Sequence, residues 1–422
     1  MERFEHDKSH FNFNAGRIGG LQTLAAIPCV AGDSISIDLE GLFRLSPLRR
    51  NLVVDCHVDF FAFYVPFRHI YGSDWTDFLE GGMNESVTFP TATPPTNSNP
   101  AYLGTNYANN ETFPLWVNGS YIQIWNRYFR SPTDGNELAL DYFTANQPDN
   151  RAGLPCGPLP VPWSAGVKTN VDISERQVAS TGDILDIVDL EQVQQQYGTE
   201  INRKYFGERY TDILNHSWGT KVNTDADQRP TLLGHSEWWL SGYDVDGTAD
   251  QTLGQYSGKS AGIGQFRVGR RFLPEHGSVW VMCLLRFPTI HTKERPYLNT
   301  TQQPTYLEIA GDPRMVAAQP PETILSNSYF DTPSSNALGF APYGQHYRYH
   351  PSTVHRDYEN VDGFTFLDTI PTTYEQAQYI NSTEYDETFQ SDALQHWQSQ
   401  CAIGVKVQSV VPPARQSLFA GV

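Results

Sequence analysis

The sequence is poor in charge, in long apolar runs and in patterned cysteine, and each shortage removes a class of protein. Charged residues are 18% of the 422-residue chain. Beside 13% aromatics, 33 glycines and 28 prolines scattered along the chain, that scarcity favours strands and ordered loops over helical bundles. The longest wholly apolar run, Val279 to Leu285, is far too short to span a bilayer, so no membrane association is expected. The five cysteines, Cys29, Cys56, Cys156, Cys283 and Cys401, are odd in number and far apart. They form neither a C-x-x-C pair nor a His-spaced metal signature, so no disulfide framework, metal or cofactor is expected. Buried free thiols in a reducing cytosol fit them best. Met1 to Phe13 is polar and charged, so no secretory signal is expected there. Basic side chains are outnumbered 29 to 47, a formal net charge of −18. That balance repels a phosphate backbone at long range and excludes a generic nucleic-acid binder, while leaving room for a local basic face.

What is present is chain length for a full core, and aromatic surface in quantity. Tyr, Trp and Phe concentrate where protein surfaces meet, so this load points to subunit contacts. Apolar and polar residues alternate at Ser34 to Leu39 and again at Ile403 to Gln408, the period-2 mark of half-buried strands. In Val53 to Val65, Val54, Cys56, Val58, Phe60, Ala62 and Tyr64 share one face. The other face begins polar with Asp55, His57 and Asp59, then turns apolar at Phe61, Phe63 and Val65. Val279 to Phe287 is apolar on both faces, which predicts a central strand covered on each side. The first forty residues look extended. Two helices are expected in between: one capped by Ser120 with a stripe of Tyr121, Ile124, Trp125, Tyr128 and Phe129, and one carrying Phe206, Tyr210, Ile213 and Leu214. Barrel strands therefore fall mainly within 30–66, 270–296 and 340–411, with a long excursion at about 67–269. First and last strands can share a sheet system, so 1–422 reads as a single domain, a β-sandwich or barrel with large insertions.

Several stretches resemble the major capsid protein of the Microviridae, the small icosahedral single-stranded DNA bacteriophages. They include His6 to Leu21, Ala31 to Trp75 with RLSPLRR (Arg44 to Arg50) and FYVP-x-RH-x-YG (Phe63 to Gly72), and Tyr121 to Pro132. Ser241 to Gly258, Arg270 to Pro288, Thr292 to Leu298 and Ile309 to Pro313 follow in the same order. The resemblance implies a mainly β fold, an eight-stranded antiparallel viral jelly roll with long, partly helical interstrand insertions. It also implies a T=1 icosahedral shell of copies of the chain around circular single-stranded DNA, assembled in the host bacterial cytoplasm. The implied partners are scaffolding proteins and a small basic DNA-packaging peptide, while the resemblance leaves open whether a separate spike protein is a further one.

Other motifs suggest chemistry. Asp244-Val245-Asp246-Gly247-Thr248 matches the D-x-D-G-T signature of haloacid-dehalogenase-like phosphatases, in which the first Asp attacks phosphorus and the second is general acid/base. The nucleophile must end a buried parallel strand, whereas Trp239 to Tyr243 makes a poor one, and an Asp/Gly turn is the plainer reading. Calcium at Asp244, Asp246 and Asp250 would not follow EF-hand spacing, because Gly247 stands fourth instead of sixth. No catalytic residue is assigned. Abundant Trp and Tyr leave a soluble carbohydrate-binding β-sandwich as a further alternative. The basic groups Arg44, Arg49 and Arg50, then Arg267, Arg270 and Arg271, then Lys293 and Arg295, and Arg348 among aromatic neighbours, are candidates for meeting DNA phosphates or a neighbouring subunit.

Overall fold

Ser34–Leu45 shows how the chain builds a sheet. Ile35, Ile37, Leu39 and Phe43 fall on one side and are buried, while Asp38, Glu40 and Arg44 on the other meet water. That is the partition of a strand with one wet face. The computed structural model describes residues 2–48, 55–81, 88–92, 103, 112–129, 137–140, 214, 218–220, 230–245, 257–287, 322–325, 327, 330, 337–341, 350, 353, 389 and 395–412. Its strands are β1 (Phe4–Asp7), β2 (His10–Gly16), β3 (Leu21–Cys29), β4 (Ser34–Leu45), β5 (Cys56–Pro66), β6 (Thr91–Ala92), β7 (Phe113–Pro114), β8 (Thr231–Val245), β9 (Ser257–Phe272), β10 (Gly277–Arg286), β11 (Glu322–Leu325), β12 (Ala337–Ala341) and β13 (Trp397–Ser409). All their pairings are antiparallel.

The long strands form two sheets. In the first, β1 and β2 lie end to end along one edge of β13, followed by β4 and β9. In the second the order is β3, β10, β5, β8. β8 joins them: Thr231 to Leu240 pairs with β5, and Ser241 to Val245 turns to pair with β9. The first and last strands thus share a sheet, as the sequence predicts. The fold is mainly β. β8, most of β9 and the short β6 and β7 lie inside the stretch that pattern alone assigns to the excursion at 67–269, and β1 to β3 begin before residue 30. β9 was hidden by its glycines. A Cβ at Gly262 would come within 2.7 Å of Leu240 Cδ2, and one at Gly264 within 2.7 Å of the Phe60 ring. The close approach of the sheets selects small residues there, against strand propensity.

One core fills the space between the sheets. It takes Ile37, Leu39 and Phe43 from β4, Val58, Phe60 and Tyr64 from β5, Val279, Val281 and Leu285 from β10, and Trp397, Ile403 and Val405 from β13. A second core covers the outer face of the second sheet. There Phe63, Val65, Trp280 and Met282 pack under Ile70 of α1 (Arg68–Tyr71), Trp75 of α2 (Ser73–Gly81), and Leu115, Val117 and Tyr121 of α3 (Leu115–Ile124). The two dry faces expected of β10, and the second dry face expected at one end of β5, are filled. Each such buried side chain contributes about 1.5–3 kcal/mol.

α3 differs from the expected helix. It starts after Pro114, whose fixed φ suits a helix entry, and continues past Ile124 as a π-helical turn, Trp125–Phe129. Ser120 is not its cap: it is buried mid-helix, 3.1 Å from the Ser278 hydroxyl. The second expected helix, at 206–214, lies outside the described residues except Leu214.

Candidate assembly surfaces

The aromatic load has an internal use that composition did not disclose. Trp75 has the rings of Phe67, Tyr71, Phe78 and Phe89 and of His276 around it, and Trp116 meets Trp280 edge-on. These rings hold the helical layer to the second sheet, so the expectation that the aromatics serve subunit contacts is corrected for this group. Others are left outside: Phe11, Phe13, Trp239 and Phe272 are exposed.

The basic candidates do not form one patch. Arg44, at the end of β4, stands opposite Gln398 and Ala261. Arg267 sits opposite Asp38 and pairs with it at 3.3 Å, both side chains well exposed, a contact worth no more than about 1 kcal/mol. Arg270 donates to Gln408 Oε1 at 3.3 Å, and Arg271 is exposed beside it. Six residues of β4 separate Arg44 from Asp38, roughly 20 Å. Arg49, Arg50, Arg348, Lys293 and Arg295 lie outside the described residues.

A charge network missed by the sequence reading occupies the end of the second sheet's outer face that α1 to α3 do not cover. Arg286 bridges two carboxylates, Nε donating to Asp59 Oδ2 at 2.6 Å and Nη2 to Glu237 Oε1 at 2.7 Å. His57 Nδ1 meets Glu237 Oε1 at 2.6 Å, and His235 Nε2 meets Asp59 Oδ1 at 3.1 Å. The hydrogen bond from His57 holds the Glu237 carboxyl below its usual range. Asp59 is buried, so its partners replace lost hydration. The available signal was the polar doublet at i and i+2 on two strands, His57/Asp59 and His235/Glu237, which only the β5–β8 register makes facing. A second pair, Arg68 to Glu275 at 2.9 and 3.1 Å, ties α1 to the start of β10. Next to it, burial pushes His276 down to about 4.

The phosphatase reading fails on strand direction. Asp244 ends β8, which is antiparallel to both β5 and β9, where the reaction requires a parallel strand end; Asp246 and Asp250 lie outside the described residues. Cys29, Cys56, Cys283 and Cys401 are free and buried, as expected. Desolvation raises Cys29 to about 12 and Cys401 to about 11, which leaves both thiols unreactive. Among the described residues no helix is long and apolar enough to cross a membrane.

Comparison with known proteins accounts for this construction. The model of the capsid protein (F protein) family matches residues 1–167 and 165–419. Capsid protein F of Escherichia phage G4 is 37% identical over 419 residues, covering 99% of this chain and 98% of the relative. Capsid protein F of Escherichia phage alpha3 is 37% identical over 426 residues, and that of Enterobacteria phage phiK is 36% identical over 428, each with the same coverage. On a match of this length and identity, the chain belongs to the capsid protein (F protein) family of the Microviridae.

Proposed function

We propose that the chain is the major subunit of a T=1 icosahedral phage shell enclosing circular single-stranded DNA, with residues 1–422 forming a single capsid domain. Its role is structural. The observation that carries the proposal is the end-to-end match to phage capsid proteins. Strand order adds support. If β1 and β2 count as one interrupted strand, the two sheets hold four strands each, with mostly non-consecutive neighbours, the interleaving of an eight-stranded jelly roll. Closed symmetry ends growth at a finite particle.

Charge sets the partner list. Subunits at −18 each cannot neutralise a genome, so the shell needs a small basic packaging peptide, polyamines or metal ions as counter-charge. Scaffolding proteins guide assembly in the host bacterial cytoplasm, and a spike protein completes the virion surface. The test is electron microscopy of the protein from a native lysate. Uniform particles the size of a small T=1 shell are expected. A monomer with sugar-dependent fluorescence would refute the proposal.

A further inference from the structure

The outer face of the first sheet has no helical cover among the described residues, unlike that of the second. Ladder register assigns the side chains that share it. One row runs Phe13, Gln400, Leu42, Ile263; the next runs Phe11, Ala402, Glu40, Gln265. Phe11 is 77% exposed, Phe13 74% and Ile263 68%, with Leu42 half-buried between them. An antiparallel strand with one wet face normally places polar residues there, as β4 does with Asp38 and Glu40. Here apolar side chains on β2, β4 and β9, interrupted on β13 only by Gln400 beside Ala402, form a stripe that meets water.

Charge indicates what covers it. Around the stripe the described residues of the same face include Arg3, Arg44, Arg267, Arg270 and Lys406 beside Glu5, Asp7, Asp38 and Glu40, with Arg3 donating to Ser34 Oγ at 3.3 Å and lying over the Phe272 ring. Five cations against four carboxylates leave the described face one charge from neutral, on a chain whose net charge is −18. A nucleic acid backbone requires a clear excess of cations over the stacking surface, and the described residues of this face have an excess of one. Two copies of the chain repel each other over most of their surface and approach at least cost where the local charge is not acidic. An apolar centre with a rim of both signs is also the anatomy of a protein–protein interface.

We propose that this face, centred on Phe11 and Phe13, docks a second copy of the chain in the shell. The proposal rests on the shell-subunit reading and adds which surface makes a contact. The test uses intact particles carrying p-benzoyl-phenylalanine in place of Phe13. Irradiation is expected to yield a band of twice the subunit mass whose joined peptides both come from this chain, in full and DNA-free particles alike. A crosslink to DNA or to another virion protein instead overturns the proposal while leaving the shell reading intact. A chain never found in particles overturns both. A measurement without any substitution runs in parallel: hydroxyl-radical oxidation of Phe11 and Phe13 should fall about tenfold from released subunits to DNA-free particles. Equal oxidation in the two overturns the proposal.

Discussion

Replacing Arg286 by Met tests whether the second sheet's charge network supports the fold. Asp59 is only 5% exposed on its side chain, Arg286 24% and Glu237 39%. Removing one member of a buried pair costs about 3–5 kcal/mol, because the remaining charge is left uncompensated. Water already reaches Arg286 and Glu237, and this screening lowers the expected loss to about 2–3 kcal/mol. The loss should trace to Asp59. Asp59→Asn in the Arg286→Met background removes the stranded charge and should recover at least about half of it, a coupling in the range for groups in direct contact. The assay is urea unfolding followed by tryptophan fluorescence, on subunits released from particles. A loss below about 0.5 kcal/mol, or a double variant whose cost is the sum of the singles, would refute the reasoning.

Trp280 is fully buried under α3, with its Nε1 donating to Ser278 Oγ at 2.8 Å; Trp280→Ala should cost about 3–5 kcal/mol, and limited proteolysis should first release the helical layer. His276 is neutral in the folded chain, its folded value lowered from 6.5 to about 4 by burial, so the unfolded chain binds the proton more readily between those values. Stability from this group is therefore complete above about pH 6.5 and lost as pH falls toward 4, by up to roughly 3 kcal/mol. His276→Phe should flatten that part of a denaturation series across pH, and an unchanged slope would contradict the assignment. Released subunits should bind single-stranded DNA weakly at physiological salt, and tight, salt-insensitive retention on a filter would contradict the charge argument.

The sheets were legible wherever burial follows a simple period. β4, β5, β10 and β13 each show in sequence the faces they present in the fold, because one or both faces are packed along their length. β8 and β9 were not. Trp238 and Trp239 are adjacent apolar residues on an exposed strand, and the glycines of β9 answer to the opposite sheet, a tertiary demand that local pattern cannot express. Ser120 has the chemistry of a cap but is used against Ser278, 3.1 Å away in space and 158 residues away in sequence. The basic residues were legible as charges but not as a surface, since Arg44 and Arg267 stand at distant registers of the β4–β9 ladder and the Asp38 pair occupies one of them. The His57–Glu237 and Arg286–Asp59 contacts depend on the register of three strands. Family resemblance supplied the function, which the strand pattern by itself does not specify.

A cryo-EM reconstruction of particles from the native lysate tests the central claim most directly. The account predicts one copy of the chain per icosahedral asymmetric unit, its β3–β10–β5–β8 sheet covered by α1 to α3 and its β1/β2–β13–β4–β9 sheet facing it across the core. Particles built from another protein, or this chain as a parallel α/β fold free in solution, would contradict it.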